Sequence, residues 1–242
     1  MRSEENIACA VIISANSEWQ IAKQFFALTA TQRYPYGEWF SIYVDSQPTL
    51  FVQGGWGKVS AAASAQYVID HWQPEVMINL GTCGGLGGSI SQGEIILASE
   101  TLIYDIEEKM GDPQEAIDAY TTKFDLSWLP AHLLQTVHTT RLVSADRDIA
   151  PQEVNMLREK FGAIAADWES GAIAWVAHRN HLPCLILRGA SDLVNEMRGE
   201  AYGQPEVFQE GAKQVMQDLL QRLPKWLAII RVHRPPAYTP PT

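Results

Sequence analysis

Four polar side chains that could take part in chemistry each follow an apolar run that predicts a buried strand: Glu18, Thr82, Glu169 and Asp192. In open α/β sheets, ligands bind at the carboxyl ends of the strands, so these side chains are candidates for one site. Several acids without a basic cluster favour a neutral or cationic ligand that carries hydroxyl groups. One carboxylate can clamp two vicinal hydroxyls, and a second, kept protonated by burial, can donate to a ring nitrogen.

Each acid also has a purely structural interpretation. Glu18 lies in the first turn of a helix that Ser17 could cap, where a carboxylate favours the helix dipole, and local sequence slightly favours that role. Ser191 and Asp192 could together cap a following helix. Glu169 lies in very apolar company, where a carboxylate is costly unless it is paired or hydrogen-bonded, so it is the better local candidate than Glu18.

A glycine-rich stretch is the centre of the predicted site. The apolar residues 75–80 lead into residues 81–88, which contain five glycines and offer only Thr82 and Cys83 as polar side chains at the strand end. Glycine lets the backbone turn sharply and brings N–H groups close to a ligand. The alternative is a connection that binds nothing. The spacing differs from G-x-G-x-x-G before a helix, which disfavours a dinucleotide site and a dehydrogenase.

Two charged turns have similarly open interpretations. Lys58 ends a second glycine-rich turn at residues 54–58, which either packs a small-residue helix closely or lets the lysine face an anion. Asp146, Arg147 and Asp148 follow a predicted strand and form either a local ion pair or the border of a pocket.

Composition excludes several classes of protein. The 242 residues carry a formal net charge of −10, which disfavours nucleic acid and an anionic membrane surface as partners. We find no signal peptide and no apolar run long enough to cross a bilayer. The cysteines, Cys9, Cys83 and Cys184, are far apart, and the histidines lack metal-ligand spacing, so we expect neither disulfides nor zinc. These features predict a cytoplasmic protein.

The apolar patterns predict alternating strands and helices, and therefore a single α/β domain over residues 1–232 with a proline-rich tail at 233–242. Strands are predicted at residues 7–15, 39–44, 50–53, 75–80, 94–105, 141–145, 163–167 and 183–188. Helices are predicted from Ser17, and at residues 58–72, 129–137, 154–161, 172–178 and 207–220, with a break at Pro224 before the last helix continues.

Four motifs resemble those of the purine nucleoside phosphorylase superfamily, and within it the methylthioadenosine/S-adenosylhomocysteine nucleosidases. They occur in the expected order at residues 54–62 (GGWGKVSAA), 76–86 (VMINLGTCGGL), 166–174 (ADWESGAIA) and 187–192 (LRGASD). The resemblance implies a three-layer α/β/α sandwich around a mixed, partly barrel-like sheet. It also implies a homodimer or higher oligomer.

The resemblance assigns roles to individual residues. Asp192 corresponds to the acid that contacts purine N7 and protonates the leaving base, and Glu169 to the carboxylate that binds the ribose hydroxyls. Trp168 replaces a methionine beside the sugar, and Thr82 replaces a serine beside the attacking water or phosphate. Glu18 best matches the acid that activates water, although a shift of one residue would place Trp19 there.

The remaining predicted substrate contacts adjoin these positions. Asp148 and Ile149 fall in the loop that contacts the base, where the family often has an aromatic residue. Cys83, Gly84 and Ser191 complete the expected set.

The implied reaction is hydrolysis of a purine nucleoside at the N-glycosidic bond, without a cofactor. A phosphorylase-type Gly-Asp-Pro-x-Arg loop is absent at residues 15–18, and Asn79 occupies the position of a phosphate-binding arginine. The alternatives are a phosphorylase that uses Arg147, Arg188 or a neighbouring subunit, and a non-catalytic nucleoside-binding or storage protein. No short motif reports on the 5′ substituent, so methylthio, homocysteinyl, hydroxyl and larger groups such as the futalosine side chain remain open.

Overall fold

The computed structural model describes residues 7–233, so residues 234–242 of the predicted tail lie outside the described part. Ten strands form one sheet: β1 (Cys9–Ile13), β2 (Gln32–Tyr34), β3 (Gly37–Val44), β4 (Gln47–Gln53), β5 (Val76–Leu86), β6 (Ile95–Ile103), β7 (Thr122–Lys123), β8 (His138–Ser144), β9 (Ala165–Asp167) and β10 (Cys184–Val194). Seven α-helices surround it: α1 (Asn16–Phe25), α2 (Gly57–Trp72), α3 (Pro113–Asp118), α4 (Ala131–Leu134), α5 (Val154–Phe161), α6 (Ser170–Arg179) and α7 (Pro205–His233).

Half of the sheet closes on itself. The strand order β10-β6-β8-β9-β5 is completed by pairing of β5 with β10, which makes a ring of five strands. β1, β4, β3 and β2 extend the sheet from β5. Pairing is mixed, because β5 runs parallel to β1 and β10 but antiparallel to β9. The predicted mixed, partly barrel-like sheet is therefore confirmed.

Helices cover both faces of the sheet and complete three layers. α1 and α7 share one apolar cluster, in which Trp19 packs with Leu219 and Leu223. α2 and α6 share the opposite cluster, where alanines such as Ala65 and Ala174 leave room for close packing. Burying these two apolar faces against one sheet accounts for the α/β/α architecture.

The first helix begins differently from the prediction. Ala15, not Ser17, is the residue before the first helical turn, and its side chain makes no capping hydrogen bond. Its backbone N–H instead donates to Oε2 of Glu18 at 3.3 Å. The predicted Ser17 cap is therefore wrong. Ser17 already lies inside α1, and Glu18 accepts the hydrogen bond from the N–H of Ala15.

The glycine-rich stretch is mostly strand, which corrects the predicted loop. β5 continues to Leu86 because β10 pairs with it along its length, from Cys184 opposite Met77 to Val194 opposite Leu86. Gly81 is needed for close packing, since a Cβ there would lie 2.0 Å from Nη1 of Arg188. The chain turns only beyond β5, where Gly88 has a φ of +83°.

Two helical predictions differ from the structure. α7 passes through Pro224 without the predicted break. Proline removes one backbone hydrogen bond, but Leu223, Trp226 and Leu227 are buried on either side and hold the helix against the sheet. The helix predicted at residues 129–137 is only the single turn α4.

Candidate active site

One cavity of about 280 Å³ is lined by the predicted site residues from the carboxyl-terminal parts of β5 and β10 and from the end of β9. Residues at the start of α1 and in the loop after β8 also line it. All ten candidates line it: Glu18, Thr82, Cys83, Gly84, Asp148, Ile149, Trp168, Glu169, Ser191 and Asp192.

Glu18 points from the first turn of α1 to the end of β5. Its Oε1 accepts hydrogen bonds from the Thr82 backbone N–H at 2.6 Å and from the Thr82 hydroxyl at 2.7 Å. The side chain is buried, so it is not a solvated helix-dipole carboxylate. The neighbouring Trp19 lies in the apolar core, and its indole N–H donates to Glu38 at 2.9 Å. Trp19 therefore does not reach the cavity.

Glu169 lies between β9 and α6 and is tied to the glycine turn before α2. Its Oε1 accepts a hydrogen bond from the Gly57 backbone N–H at 3.1 Å. Burial raises the pKa of Glu169 to about 8, and the carboxylates of Asp167 and Glu18 add to the rise against the opposing charge of Arg188. Its carboxyl group is therefore protonated more readily than that of an exposed glutamate.

Arg188 is the buried cation beneath the site, and protein groups occupy its donors. Its Nε lies 3.0 Å from Asp167 Oδ2, and its Nη2 donates to Asn79 Oδ1 at 2.7 Å. Nη2 also lies 3.6 Å from Glu169 Oε2, and Nη1 donates to the Thr82 carbonyl at 3.3 Å. Burial opposes its charge, but the surrounding acids outweigh that effect and raise the pKa of Arg188.

Asp192 lies inside β10, which continues to Val194, so the predicted helix cap at Ser191 and Asp192 is wrong. A register shift between Ala190 and Asp192 interrupts the regular pairing with β5 and places Asp192 opposite Gly84. The Ser191 hydroxyl donates to Asp192 Oδ1 at 2.6 Å. Burial raises the pKa of Asp192, and the Ser191 hydrogen bond opposes this shift.

The loop after β8 borders the cavity, as one of the two interpretations predicts. Arg147 and Asp148 line the cavity, but Arg147 pairs with Glu153 at 3.0 Å rather than with its neighbours in the chain. Lys58 faces two carboxylates of the protein, those of Asp105 and Asp146. Both cations near the mouth of the cavity therefore have acidic partners.

Several lining residues are absent from the sequence prediction: Trp56, Val194, Ala201, Tyr202 and Phe208. Tyr202 donates its hydroxyl to the Ile149 carbonyl at 2.6 Å and so ties its own segment to the loop after β8. Trp56 stands within the GGWGK motif, which could have identified it. Tyr202 lies in a segment without apolar periodicity, and no local signal points to it.

Neither a metal site nor a membrane span is found within residues 7–233. No three His, Cys, Asp or Glu side chains in this range are placed to hold a metal ion. No helix there is long and apolar enough to cross a bilayer. The polar groups of the candidate site are mainly carboxylates, hydroxyls and backbone groups, and Arg188 lies beneath them with a protein acceptor at each guanidinium nitrogen.

Comparison with known proteins identifies the family. Residues 11–225 match the model of the phosphorylase superfamily. The chain belongs to this superfamily. It is 30% identical over 155 residues to a 5′-methylthioadenosine/S-adenosylhomocysteine nucleosidase of Maridesulfovibrio salexigens, covering 59% of this chain and 67% of that protein. It is 28% identical over 171 residues to the nucleosidase of Staphylococcus haemolyticus, covering 63% and 72%.

Solved structures support the same fold. The Helicobacter pylori 5′-methylthioadenosine/S-adenosylhomocysteine nucleosidase with butyl-thio-DADMe-Immucillin-A has a TM-score of 0.76 at 16% identity, covering 91% of this chain and all (100%) of that one. The Streptococcus pneumoniae nucleosidase with a transition-state inhibitor has a TM-score of 0.72 at 21% identity, covering 92% and 99%. The predicted resemblance to the superfamily and its nucleosidase branch is confirmed.

Proposed function

We propose that the protein hydrolyses the N-glycosidic bond of a purine nucleoside of the methylthioadenosine/S-adenosylhomocysteine type and releases the free base and the sugar. One observation carries the proposal. Glu18, Glu169 and Asp192 converge on a single cavity, while each of the three guanidinium nitrogens of the buried Arg188 has a protein acceptor. The nucleosidases among the relatives support the same reaction class.

Asp192 is the proposed acid. Its raised pKa favours the protonated carboxyl group, which donates a proton to purine N7 as the bond between N9 and C1′ breaks. The base then leaves as a neutral molecule instead of an anion. General acid catalysis of this kind contributes about 10²–10⁴-fold to a rate.

Glu18 is the proposed partner of the attacking water. Thr82 donates two hydrogen bonds to Oε1 and the Ala15 N–H donates one to Oε2, which together orient the carboxylate; Oε2 keeps a second lone pair that can accept a proton from water. The water oxygen bonds to C1′, and its proton passes to Glu18. Thr82 is therefore a positioning residue in this scheme.

Glu169 is the proposed ribose ligand. Gly57 holds Oε1 and Arg188 lies near Oε2, so both oxygens have fixed positions from which to accept hydrogen bonds from vicinal hydroxyls. In its ionised form, Glu169 also stabilises positive charge that develops on the sugar as the base departs.

Water is the proposed nucleophile because, among residues 7–233, the cations at or beside the cavity already have acidic partners that compete with a phosphate dianion. Arg188 is paired with Asp167, Arg147 with Glu153, and Lys58 with Asp105 among the described residues. A dianion placed beside Glu18 would be repelled without such a partner.

The deciding experiment measures base release from a panel of purine nucleosides with and without phosphate. We expect release that is independent of phosphate and that Asp192→Asn abolishes. Turnover that requires phosphate would identify a phosphorylase instead. Binding of nucleosides without any release would identify a nucleoside-binding protein.

We also propose a cytoplasmic homo-oligomer that acts on free nucleosides. Its three cysteines are unpaired, which suits a reducing compartment. Val59, in the first turn of α2, is 82% exposed, and the proposal places it in contact with a second copy of the chain. Sedimentation velocity on the protein and on Val59→Glu tests this: a dimer that the substitution weakens supports it, and a monomer contradicts it.

A further inference from the structure

Two tryptophans form a stacked pair at the edge of the cavity. The ring centroids of Trp56 and Trp168 lie 5.7 Å apart, with 20° between the ring planes, and both rings line the cavity. Trp56 is nevertheless 73% exposed. A large aromatic ring that lines a binding cavity and leaves most of its surface uncovered offers a face to another flat apolar group.

The backbone around the pair holds it in a defined position. Gly55 and Gly57, on either side of Trp56, both have a φ of +78°, a left-handed conformation that favours glycine. The Gly57 N–H is bound to Glu169. Trp168 directly precedes Glu169 in the chain, so both rings are anchored to the proposed ribose ligand.

Strand register places the pair two strands away from Asp192, on the β9 side of the cavity. Asp192 lies opposite Gly84 on β5, and Gly84 lies opposite Ala166 on β9. Trp168 is two residues beyond Ala166, and Trp56 packs on its ring. This row of positions, which runs from Asp192 through Gly84 and Ala166 to Trp168, therefore leads from the proposed position of the base to the tryptophans.

The chemistry of a nucleoside identifies the group that meets this pair. With the base at Asp192 and the 2′ and 3′ hydroxyls at Glu169, the remaining substituent of the ribose is the 5′ group on C4′. C1′ and C4′ flank the ring oxygen, so the base and the 5′ group leave the ribose from different carbons, and with the base at Asp192 the 5′ group can extend towards the tryptophans.

We propose that Trp56 and Trp168 select nucleosides whose 5′ position carries a planar aromatic group, which adds a third ring to the stack. This inference rests on the proposed function, because that function places the ribose at Glu169. The stacking contact is the same before and during bond cleavage, so it lowers KM and leaves kcat nearly unchanged.

The test compares 5′-methylthio-5′-deoxyadenosine with 5′-phenylthio-5′-deoxyadenosine. We expect kcat/KM of the wild type to be about tenfold higher for the phenylthio compound, as one aromatic stacking contact implies. Trp56→Ala removes this advantage through KM, so kcat/KM falls more for the phenylthio compound than for the methylthio compound. The matched control is Trp175→Ala, which removes a tryptophan stacked on Tyr120 at 5.5 Å outside the cavity and is expected to change neither value.

Equal kcat/KM for the two compounds in the wild type, or an equal loss for both in Trp56→Ala, overturns the aromatic selectivity and leaves the nucleosidase proposal intact. Absence of base release from both compounds counts against the nucleosidase proposal instead. If neither compound is cleaved, the selectivity for an aromatic 5′ group is tested by calorimetric measurement of the dissociation constants of both compounds. Tighter phenylthio binding to the wild type than to Trp56→Ala supports it, and equal binding overturns it.

Discussion

Thr82 donates both its backbone N–H and its hydroxyl to one oxygen of Glu18, a residue 64 positions away in the chain. The two bonds are 2.6 and 2.7 Å long and connect the first turn of α1 with β5. This double contact fixes the orientation of a buried carboxylate that faces the cavity. It makes Thr82 the residue through which the position of Glu18 can be tested.

Substitutions at Glu18 and Thr82 are expected to lower kcat to different degrees. Glu18→Gln removes the proposed base and should reduce kcat by about 10²–10⁴-fold. Thr82→Val removes only the hydroxyl bond to a charged group, worth about 1.5–3 kcal/mol, and should reduce kcat by roughly 10–100-fold. Thr82→Ser keeps both donors and serves as the control. Steady-state base release measures all three, and full activity of Thr82→Val would contradict the positioning role.

The role of Asp192 can be isolated with a change of leaving group. Asp192→Asn cannot protonate N7 and should lower kcat for a purine nucleoside by about 10²–10⁴-fold. Cleavage of p-nitrophenyl riboside, whose leaving group needs no proton, should fall by less than about tenfold. Equal losses on the two substrates would show that Asp192 supports the structure of the site rather than acting as its acid.

Ser191 is expected to set the pH at which the acid is lost. Its hydroxyl donates to Asp192 Oδ1 and lowers a pKa that burial raises. Activity that requires protonated Asp192 declines as the pH rises through that pKa. Ser191→Ala should therefore move the alkaline limb of the kcat profile to higher pH. A profile that stays in place, or moves to lower pH, argues against protonated Asp192 as the active form.

Glu169 is expected to make the protein less stable at alkaline pH. Its pKa in the folded protein is about 8 against an ordinary value of 4.5, so the folded state retains a proton that the unfolded chain loses. This contribution to stability is complete below pH 4.5, the ordinary pKa of a glutamate, and is lost as the pH rises through about 8. Each unit of difference between the two pKa values corresponds to ~1.4 kcal/mol in the free energy of unfolding.

Urea unfolding of the wild type and Glu169→Gln at several pH values tests this expectation. The free energy of unfolding of the wild type, taken relative to that of Glu169→Gln, should fall between pH 5 and pH 9. The control is Glu107→Gln, because the Glu107 side chain is 75% exposed and should give a constant difference. A constant difference for Glu169→Gln as well would mean that its pKa is not raised.

Gly81 should tolerate no side chain. A Cβ there would lie 2.0 Å from Arg188 Nη1 and 3.0 Å from Glu18 Oε2, so Gly81→Ala must displace a buried, fully paired arginine. We expect a loss of about 1–3 kcal/mol in the free energy of unfolding together with reduced base release. Gly111→Ala, whose Cβ would meet nothing closer than 3.8 Å, is the control for urea unfolding. Wild-type stability of Gly81→Ala would show that Arg188 is free to move.

Local patterns predicted most of the secondary structure. The helix predicted at residues 154–161 is α5 (Val154–Phe161), and the helix predicted at 58–72 differs from α2 by one residue. Both have an apolar face and a clear end, such as Gly162 in a left-handed conformation after α5. The predictions are wrong where contacts with distant residues determine the secondary structure. Pairing with β10 extends β5 through its glycines, and packing against the core keeps α7 helical through Pro224.

The candidate site shows the same division between what local sequence predicts and what contacts with distant residues decide. Local sequence slightly favoured a helix-dipole role for Glu18, and the structure keeps Glu18 in the first turn of α1 but adds two contacts from Thr82; the cap allowed at Asp192 is wrong. The contacts that changed these interpretations come from Thr82 for Glu18, and from the pairing of β5 with β10 for Asp192. No pattern within a short window contains such contacts.

The sequence by itself determined the superfamily, the α/β class and the identity of the acids at the strand ends, because motifs and apolar periodicity are local properties of the chain. Only the tertiary structure decided that Arg188 pairs with Asp167 and donates a hydrogen bond to Asn79. It also decided that the Gly57 N–H binds Glu169 and that Trp56 stacks on Trp168. The reason is physical: hydrogen bonds, charge interactions and desolvation depend on distances in space between residues far apart in the chain.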